Sequence, residues 1–203
     1  MKNSVTKKKR RFKPEERRAQ IIEATKGLIL ENGLAWASSL RIAKALGISQ
    51  QALYHHFKNK REILLATLSS IINDIILRTT ISPYKKDIEE YIHEAARMFH
   101  EMTIADPRQS RLMVEYLCAP PTENMREEVQ GIFSSLLHVS EKIVREGMDQ
   151  GIFKKDLNVS VIAWIFISFA TAFSIGTMLE VPQSLSEEEA LEAIDVILRA
   201  IKK

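Results

Sequence analysis

A tight turn between two short helical segments constrains this chain more than any other feature of its sequence. Before the turn, apolar residues recur at helical spacing, at Leu40, Ile42, Ala43 and Leu46. Gly47 stands where a helix commonly ends in a left-handed residue, and Ser49 can cap the helix that follows. The pattern predicts a helix-turn-helix motif over about residues 38–57, with an ordinary helical hairpin as the alternative.

The two faces of the second helix differ in their chemistry. Leu53 and Phe57 are four residues apart and are expected to pack inward against the apolar residues of the first helix. The outward face carries polar and small side chains: Gln50, Gln51, Ala52, His55 and His56. In a helix-turn-helix motif the second helix lies in the major groove of DNA and presents such side chains to base edges. These residues are therefore candidates for reading DNA.

This region resembles the TetR family of transcriptional regulators over about the first third of the chain. The most specific part is the run Leu-Tyr-x-His-Phe-x-x-Lys from Leu53 to Lys60, which follows Gly-Ile-Ser. The resemblance implies that Tyr54 and Lys60 contact phosphates, and that bases are reached by Gln50, Gln51 and either His55 or His56.

Ala52 departs from the Thr or Ser that is common at its position in the family. A hydroxyl that contacts phosphate is therefore expected to be missing, although the alanine methyl could still contact a thymine methyl. The DNA-binding residues expected from motif and resemblance together are Ser39, Ser49, Gln50, Gln51, Ala52, Tyr54, His55, His56 and Lys60.

Charge is distributed unevenly along the chain. Residues 1–60 contain fourteen Lys or Arg and four Asp or Glu, whereas residues 61–203 contain fifteen and twenty-two. A basic module joined to an acidic one suits a protein whose first part meets DNA. Residues 1–13 form a basic arm that is expected to be disordered by itself. The arm either follows the DNA backbone or enters the minor groove, or it is only a solubilising tail.

The sequence predicts an all-α fold, because no long run alternates apolar and polar residues and helical spacing recurs throughout. Residues 14–60 are expected to form a three-helix DNA-binding domain. Residues 61–203 are expected to form a larger helical domain for effector binding and dimerisation. Prolines, glycines and capping residues predict helices over 14–31, 60–80, 84–105, 108–118, 122–149, 160–179 and 186–201.

The last two helices predict a homodimer. The run from Leu157 to Leu179 carries no charge, and the final helix has an apolar stripe at Leu191, Ile194, Leu198 and Ile201. Two such helices from each of two chains would form a four-helix interface, as in the TetR family. A membrane span is the alternative for the uncharged run. Hydroxyls spaced three residues apart favour packing within a protein instead, at Ser168, Thr171, Ser174 and Thr177.

The resemblance also implies a pocket for a small-molecule effector among the middle helices. Methionine and aromatic side chains make an adaptable apolar lining. The candidate lining residues are Met98, Phe99, Met102, Met113, Tyr116, Met125, Phe133, Phe166, Phe169 and Phe173. The sequence contains no metal-ligand spacing and no catalytic set, so neither a cofactor nor an enzymatic activity is expected. The single cysteine, Cys118, is expected to be a buried hydrophobe.

The sequence as a whole predicts a cytoplasmic, sequence-specific regulator of transcription that acts as a homodimer on a palindromic operator. We expect it to be a repressor that a small apolar or amphipathic ligand releases from DNA. The alternative is an architectural or partner-binding protein that uses the same fold on DNA without small-molecule control.

Overall fold

The computed structural model describes residues 12–80, 87–118, 123–182 and 184–203, without the side chains of 79–80, 116–118 and 123–125. This part of the chain forms nine α-helices and one 3-10 turn at Leu34–Trp36. The helices are α1 Pro14–Asn32, α2 Ser39–Ala45, α3 Gln50–Tyr54, α4 Lys60–Thr80, α5 Ile88–Ala105, α6 Pro107–Cys118, α7 Glu123–Asp149, α8 Val159–Met178 and α9 Glu187–Ile201. The prediction of an all-α fold with an N-terminal helix-turn-helix is confirmed.

Local sequence signals set the ends of these helices. The Ser49 hydroxyl accepts a hydrogen bond from the Ala52 amide at 3.0 Å and caps α3. At the start of α9, Ser186 and Glu189 form a reciprocal capping box, with distances of 2.8 and 3.2 Å. Gly47 has a φ of 62°, which the turn between α2 and α3 requires and which glycine adopts without steric cost.

Helix α4 contributes to two hydrophobic cores. Its residue Ile63 is buried with residues of the first three helices, namely Ile21, Ile42, Leu53 and Phe57. The next turns of α4 are buried in a second core that contains Ile29, Ala37, Leu64, Leu68, Ile71, Ile72, Leu112 and Val129. A third core lies among α5, α7, α8 and α9. The DNA-binding motif and the C-terminal helices are therefore joined through a continuous packed helix.

The apolar stripe of α9 lies inside the chain, so its predicted role as the dimer seam is wrong. Ile194, Leu198 and Ile201 are between 1% and 5% exposed, and they pack in a core with Ile88 and Tyr91 of α5. Amphipathic spacing shows that a helix face is buried, but it does not say against which partner. The apolar residue that α9 leaves exposed is Val196.

A second correction concerns Leu40. Its spacing places it with the inward residues of α2, but 64% of its surface is exposed. Helix α2 has only seven residues, and Ile42 and Ala43 already fill the contact with α1 and α3.

Helix α8 is apolar on more than one side. Ile162, Ala163 and Phe173 are buried within the chain, whereas Val161, Trp164 and Ile165 are between 41% and 51% exposed. Among the described helices, α8 alone is long and apolar enough to cross a membrane, with a mean hydropathy of 2.0. Length and composition are weak evidence for a span, because the core helix of a soluble protein meets the same criteria.

Two glycines of α7 should respond oppositely to alanine. A methyl group at Gly131 meets no neighbouring atom, so Gly131→Ala should raise the free energy of unfolding by about 0.5–1 kcal/mol through helix propensity. A methyl group at Gly147 would overlap the fully buried ring of Phe153, so Gly147→Ala should lower that free energy by about 1–3 kcal/mol. Urea unfolding followed by circular dichroism measures both changes, and equal effects would contradict the packing of Phe153.

Candidate DNA-binding surface and ligand cavity

The second helix of the motif presents most of its predicted DNA-reading residues to solvent. Gln50, Gln51 and His55 are exposed, while Ala52 and His56 are half-buried. Leu53 is fully buried, which fixes the direction in which the exposed side chains point. The polar side chains therefore lie on a single helix, α3. The major groove of DNA is wide enough to admit one α-helix.

Tyr54 and Ser39 form one polar site at the junction of α2 and α3. A hydrogen bond of 2.6 Å joins the Ser39 hydroxyl to the Tyr54 phenol, and the ring is 42% exposed. Ser49 is also exposed, but its hydroxyl is occupied in capping α3. Lys60 is half-buried at the first turn of α4. Two hydroxyls and an ammonium group at the edge of the reading helix suit contacts to phosphate rather than to bases.

The two histidines of the motif differ in accessibility. Burial lowers the pKa of His56, and the nearby positive charges of Arg17, His55 and Arg18 lower it further. His56 is therefore neutral at physiological pH. Its neighbour His55 is exposed at the end of α3 and is the better placed of the two to reach a base.

The sequence reasoning missed an aromatic and cationic pair beside Ser39. The Arg41 guanidinium lies 3.5 Å from the centre of the Trp36 ring and donates a hydrogen bond to the Trp36 carbonyl at 3.2 Å. Trp36 is 45% exposed, and Leu40, which lies between Trp36 and Arg41 in sequence, is also exposed. The proximity of these residues to the first turn of α2 is the signal that could have found them.

A polar joint fixes the motif to α4. The Arg18 guanidinium of α1 stacks 4.0 Å from the centre of the Phe57 ring and donates to the His56 carbonyl and to the Glu62 carboxylate. The other carboxylate oxygen of Glu62 accepts the Lys58 amide at 2.6 Å. That amide, and next the Arg18 side chain, hold the pKa of Glu62 below its ordinary value. The joint thus orients the end of α3 against two longer helices.

A cavity of about 190 Å³ lies among the C-terminal helices. Six of the predicted ligand-binding residues line it: Phe99, Met113, Phe133, Phe166, Phe169 and Phe173. Met102 lines a smaller adjoining space together with Phe99 and Met113. Met98 lines neither, because it lies to one side of the face that α5 turns toward the cavity. The side chains of Tyr116, Cys118 and Met125 lie outside the described residues.

The cavity also has polar groups that the sequence did not single out. Tyr91, His100, Ser140 and Thr171 are among its lining residues. The His100 ring stacks on Phe173 with centroids 5.1 Å apart, and its Nε2 lies 3.3 Å from the Leu185 carbonyl oxygen. Burial raises the pKa of the Tyr91 phenol. No Lys, Arg, Asp or Glu is among the described residues that line the cavity.

Comparison with known proteins agrees with the geometry of the motif. Residues 21–67 match the family model described as bacterial regulatory proteins, tetR family. The matched segment begins in α1, includes α2 and α3, and ends in α4. The predicted resemblance to this family is confirmed.

Two curated relatives extend the similarity beyond the motif. The fatty acid metabolism regulator protein of Bacillus subtilis is 25% identical over 145 residues, which cover 69% of this chain and 72% of the relative. The nucleoid occlusion factor SlmA of Aliivibrio fischeri is 26% identical over 132 residues, which cover 64% of this chain and 67% of the relative.

Solved structures of TetR-family transcriptional regulators share the fold. One similar structure is the transcriptional regulator FadR from Bacillus subtilis in complex with stearoyl-CoA, with a TM-score of 0.70 and 20% identity. The similarity covers 89% of this chain and 95% of that one. The fold and the matched domain are those of transcriptional regulators rather than of enzymes.

Substitutions in the motif should separate base reading from phosphate contact. Gln50→Ala or Gln51→Ala should cost about 1–3 kcal/mol of binding free energy at one base-pair position if that side chain contacts adenine. Tyr54→Phe should weaken binding to all sequences alike, because phosphate contacts carry no sequence information. Affinities for a panel of single-base operator variants measure both effects. A Gln50 and Gln51 double variant with an unchanged preference profile would disprove the assignment.

Proposed function

Because the chain carries a TetR-type DNA-binding domain on the fold of that family's regulators, we propose that it is a homodimeric transcriptional repressor. In this proposal it binds a palindromic operator in the cytoplasm, and a small apolar or amphipathic effector releases it. The observation that carries the proposal is that one helix, α4, has the DNA-reading motif at one end and the wall of the cavity at the other.

Helix α4 gives a direct mechanical connection between the two sites. Near its start, Ile63 packs with Leu53 and Phe57 of the motif. Near its other end, Ile75 and Ile76 line the cavity. Its 21 residues span about 30 Å at the rise of an α-helix. A ligand that moves the C-terminal end of α4 would also tilt α3, the second helix of the motif.

Helix α6 supports a second connection. Its residue Met113 lines the cavity, and the neighbouring Leu112 is buried with Ile29 and Ala37 of the DNA-binding region. One turn later, the Glu115 carboxylate accepts a hydrogen bond from the Leu34 amide at 3.0 Å. Displacement of α6 would therefore act on the segment between α1 and α2 as well as on α4.

The lining of the cavity defines the class of effector. A cavity of this size with aromatic and aliphatic walls and no charged residue favours a largely apolar molecule. The FadR structure of the same fold holds stearoyl-CoA, whose acyl chain belongs to that class. Any effector that binds more tightly to the DNA-free arrangement must weaken DNA binding by the same factor as DNA weakens effector binding.

The proposed dimer uses the apolar surface that α8 and α9 leave exposed. Val161, Trp164 and Ile165 of α8 and Val196 of α9 are between 41% and 55% exposed. The three residues of α8 lie on one face of that helix, at positions i, i+3 and i+4, and an exposed apolar patch of this kind marks an interaction site in a soluble protein. Pairing it about a two-fold axis would place two motifs on successive half-sites of a palindrome, about 34 Å or a multiple of that apart.

A second candidate function is DNA binding without effector control. The similarity to the nucleoid occlusion factor SlmA favours this alternative. Both candidates need the DNA-reading surface and the dimer. They differ in whether a compound in the cavity releases DNA.

Charge on the exposed face of α8 should separate the protomers. Val161→Glu combined with Ile165→Glu places two carboxylates where the partner would exclude water, so the protein should remain folded but sediment as a monomer with weak, non-specific DNA binding. Ile104→Glu is the matched control, because Ile104 is 48% exposed but lies on α5. A double variant that stays dimeric would show that the interface lies elsewhere.

Selection of bound sequences from random DNA tests the proposal as a whole. We expect a palindromic consensus sequence whose two half-sites have centres about one helical turn of DNA apart, or a multiple of one turn. A panel of apolar and amphipathic compounds is then added to the complex, and at least one should release the DNA. Sequence-independent binding would contradict the regulator, and a specific complex that no compound releases while the cavity binds such compounds would favour the alternative.

A further inference from the structure

Three buried hydroxyls lie around a small annex of the cavity. The annex has a volume of about 20 Å³ and shares the wall residues Ile75, Phe99 and Met113 with the main cavity, so the two spaces adjoin. The hydroxyls come from three different helices, α5, α6 and α8, and their residues are 5%, 7% and 2% exposed: Thr103, Ser110 and Ser174. Three helices thus place hydroxyl-bearing residues around one space, which Gln109 of α6 also lines.

These hydroxyls lack the partner that such groups have elsewhere in the protein. Thr67, Thr171 and Thr177 each donate to the backbone carbonyl four residues earlier, at 2.8 to 3.0 Å. The hydroxyl groups of Thr103, Ser110 and Ser174 form no side-chain hydrogen bond with another residue in the described part of the chain. None of the three oxygen atoms is both fully enclosed and without a partner, so each keeps some accessible surface, and a polar group that enters the annex can bond to them.

We propose that the annex binds the uncharged polar head of an amphipathic effector whose apolar body occupies the main cavity. This inference rests on the proposed function, because it specifies the ligand of the same cavity. The volume of the annex suits a group about the size of one water molecule, such as a hydroxyl or a carbonyl oxygen. No residue that lines the annex is charged, so a carboxylate or an ammonium head would be buried without a counter-charge.

The position of the annex links recognition of the head to the DNA-binding region. Ser110 lies on α6, which also carries Glu115, the acceptor for the Leu34 amide. A head that bonds to residues of α5, α6 and α8 at once would fix α6 relative to the other two helices. An apolar molecule of the same size would fill the main cavity without this effect.

Three probes with similar bodies test the assignment: butylbenzene, phenylpropanol and phenylpropanoate. Their dissociation constants are measured by calorimetry on the full chain without DNA. Ser110→Ala and Ser174→Ala should each weaken phenylpropanol by about 3- to 10-fold and leave butylbenzene unchanged, because each removes one hydrogen bond to the head. Thr177→Val is the matched control: Thr177 is buried on α8 but lines neither space, and its hydroxyl already donates to the Phe173 carbonyl, so the change should not favour one probe over the other.

The variants also have a readout that does not depend on a ligand. Removing an unpartnered hydroxyl should leave the melting temperature of the free protein unchanged or raise it, so a loss of phenylpropanol binding cannot be ascribed to unfolding. Phenylpropanoate should bind at least about 100-fold more weakly than phenylpropanol, since no Lys or Arg side chain lines either space.

The outcomes separate this inference from the proposed function. Binding of both neutral probes with no dependence on Ser110 or Ser174 overturns the annex but leaves the cavity as an effector site. Preferential binding of phenylpropanoate overturns the uncharged head. Binding of none of the probes overturns the annex and the effector together, while the DNA selection still decides whether the chain is a regulator.

Discussion

The packing of α4 into two cores is the constraint on which the rest of this structure depends. Ile63 fixes its start against the helix-turn-helix, and Leu64, Leu68 and Ile71 fix the following turns against α1 and the C-terminal helices. Protein interiors are closely packed, so they transmit the displacement of a side chain to its neighbours rather than absorb it. In the proposed mechanism, a displacement of Ile75 and Ile76 in the cavity wall is transmitted along α4.

The reading helix depends on this support because it is too short to be stable alone. Helix α3 has five residues, well below the length at which an isolated helix forms in water. The Ser49 cap closes one end, Leu53 anchors its inner face, and the Arg18–Glu62 joint holds the chain just after it. The exposed glutamines can then be presented to DNA in a fixed geometry, which lowers the entropy lost on binding.

The cavity and its annex divide two requirements of ligand recognition. The aromatic walls of the cavity favour any apolar body of suitable size, which gives affinity but little selectivity. Selectivity requires polar groups in the site whose hydrogen bonds a mismatched ligand leaves unmade, because this raises the free energy of the mismatched complex. In the proposed site, Thr103, Ser110 and Ser174 would meet that condition, because a head that filled the annex without bonding to their hydroxyls would exclude water from them.

The sequence by itself determined the features that depend on neighbours along the chain. Gly47 at the turn and the caps at Ser49 and Ser186 follow from backbone stereochemistry and short-range hydrogen bonds. Tertiary structure alone decided which partner each amphipathic face meets. The α9 stripe at Ile194 and Leu198 was buried against α5 rather than a second chain, and the annex brought together hydroxyls from three helices. Helical periodicity records that a face is buried, but the identity of the neighbour depends on packing between residues far apart in sequence.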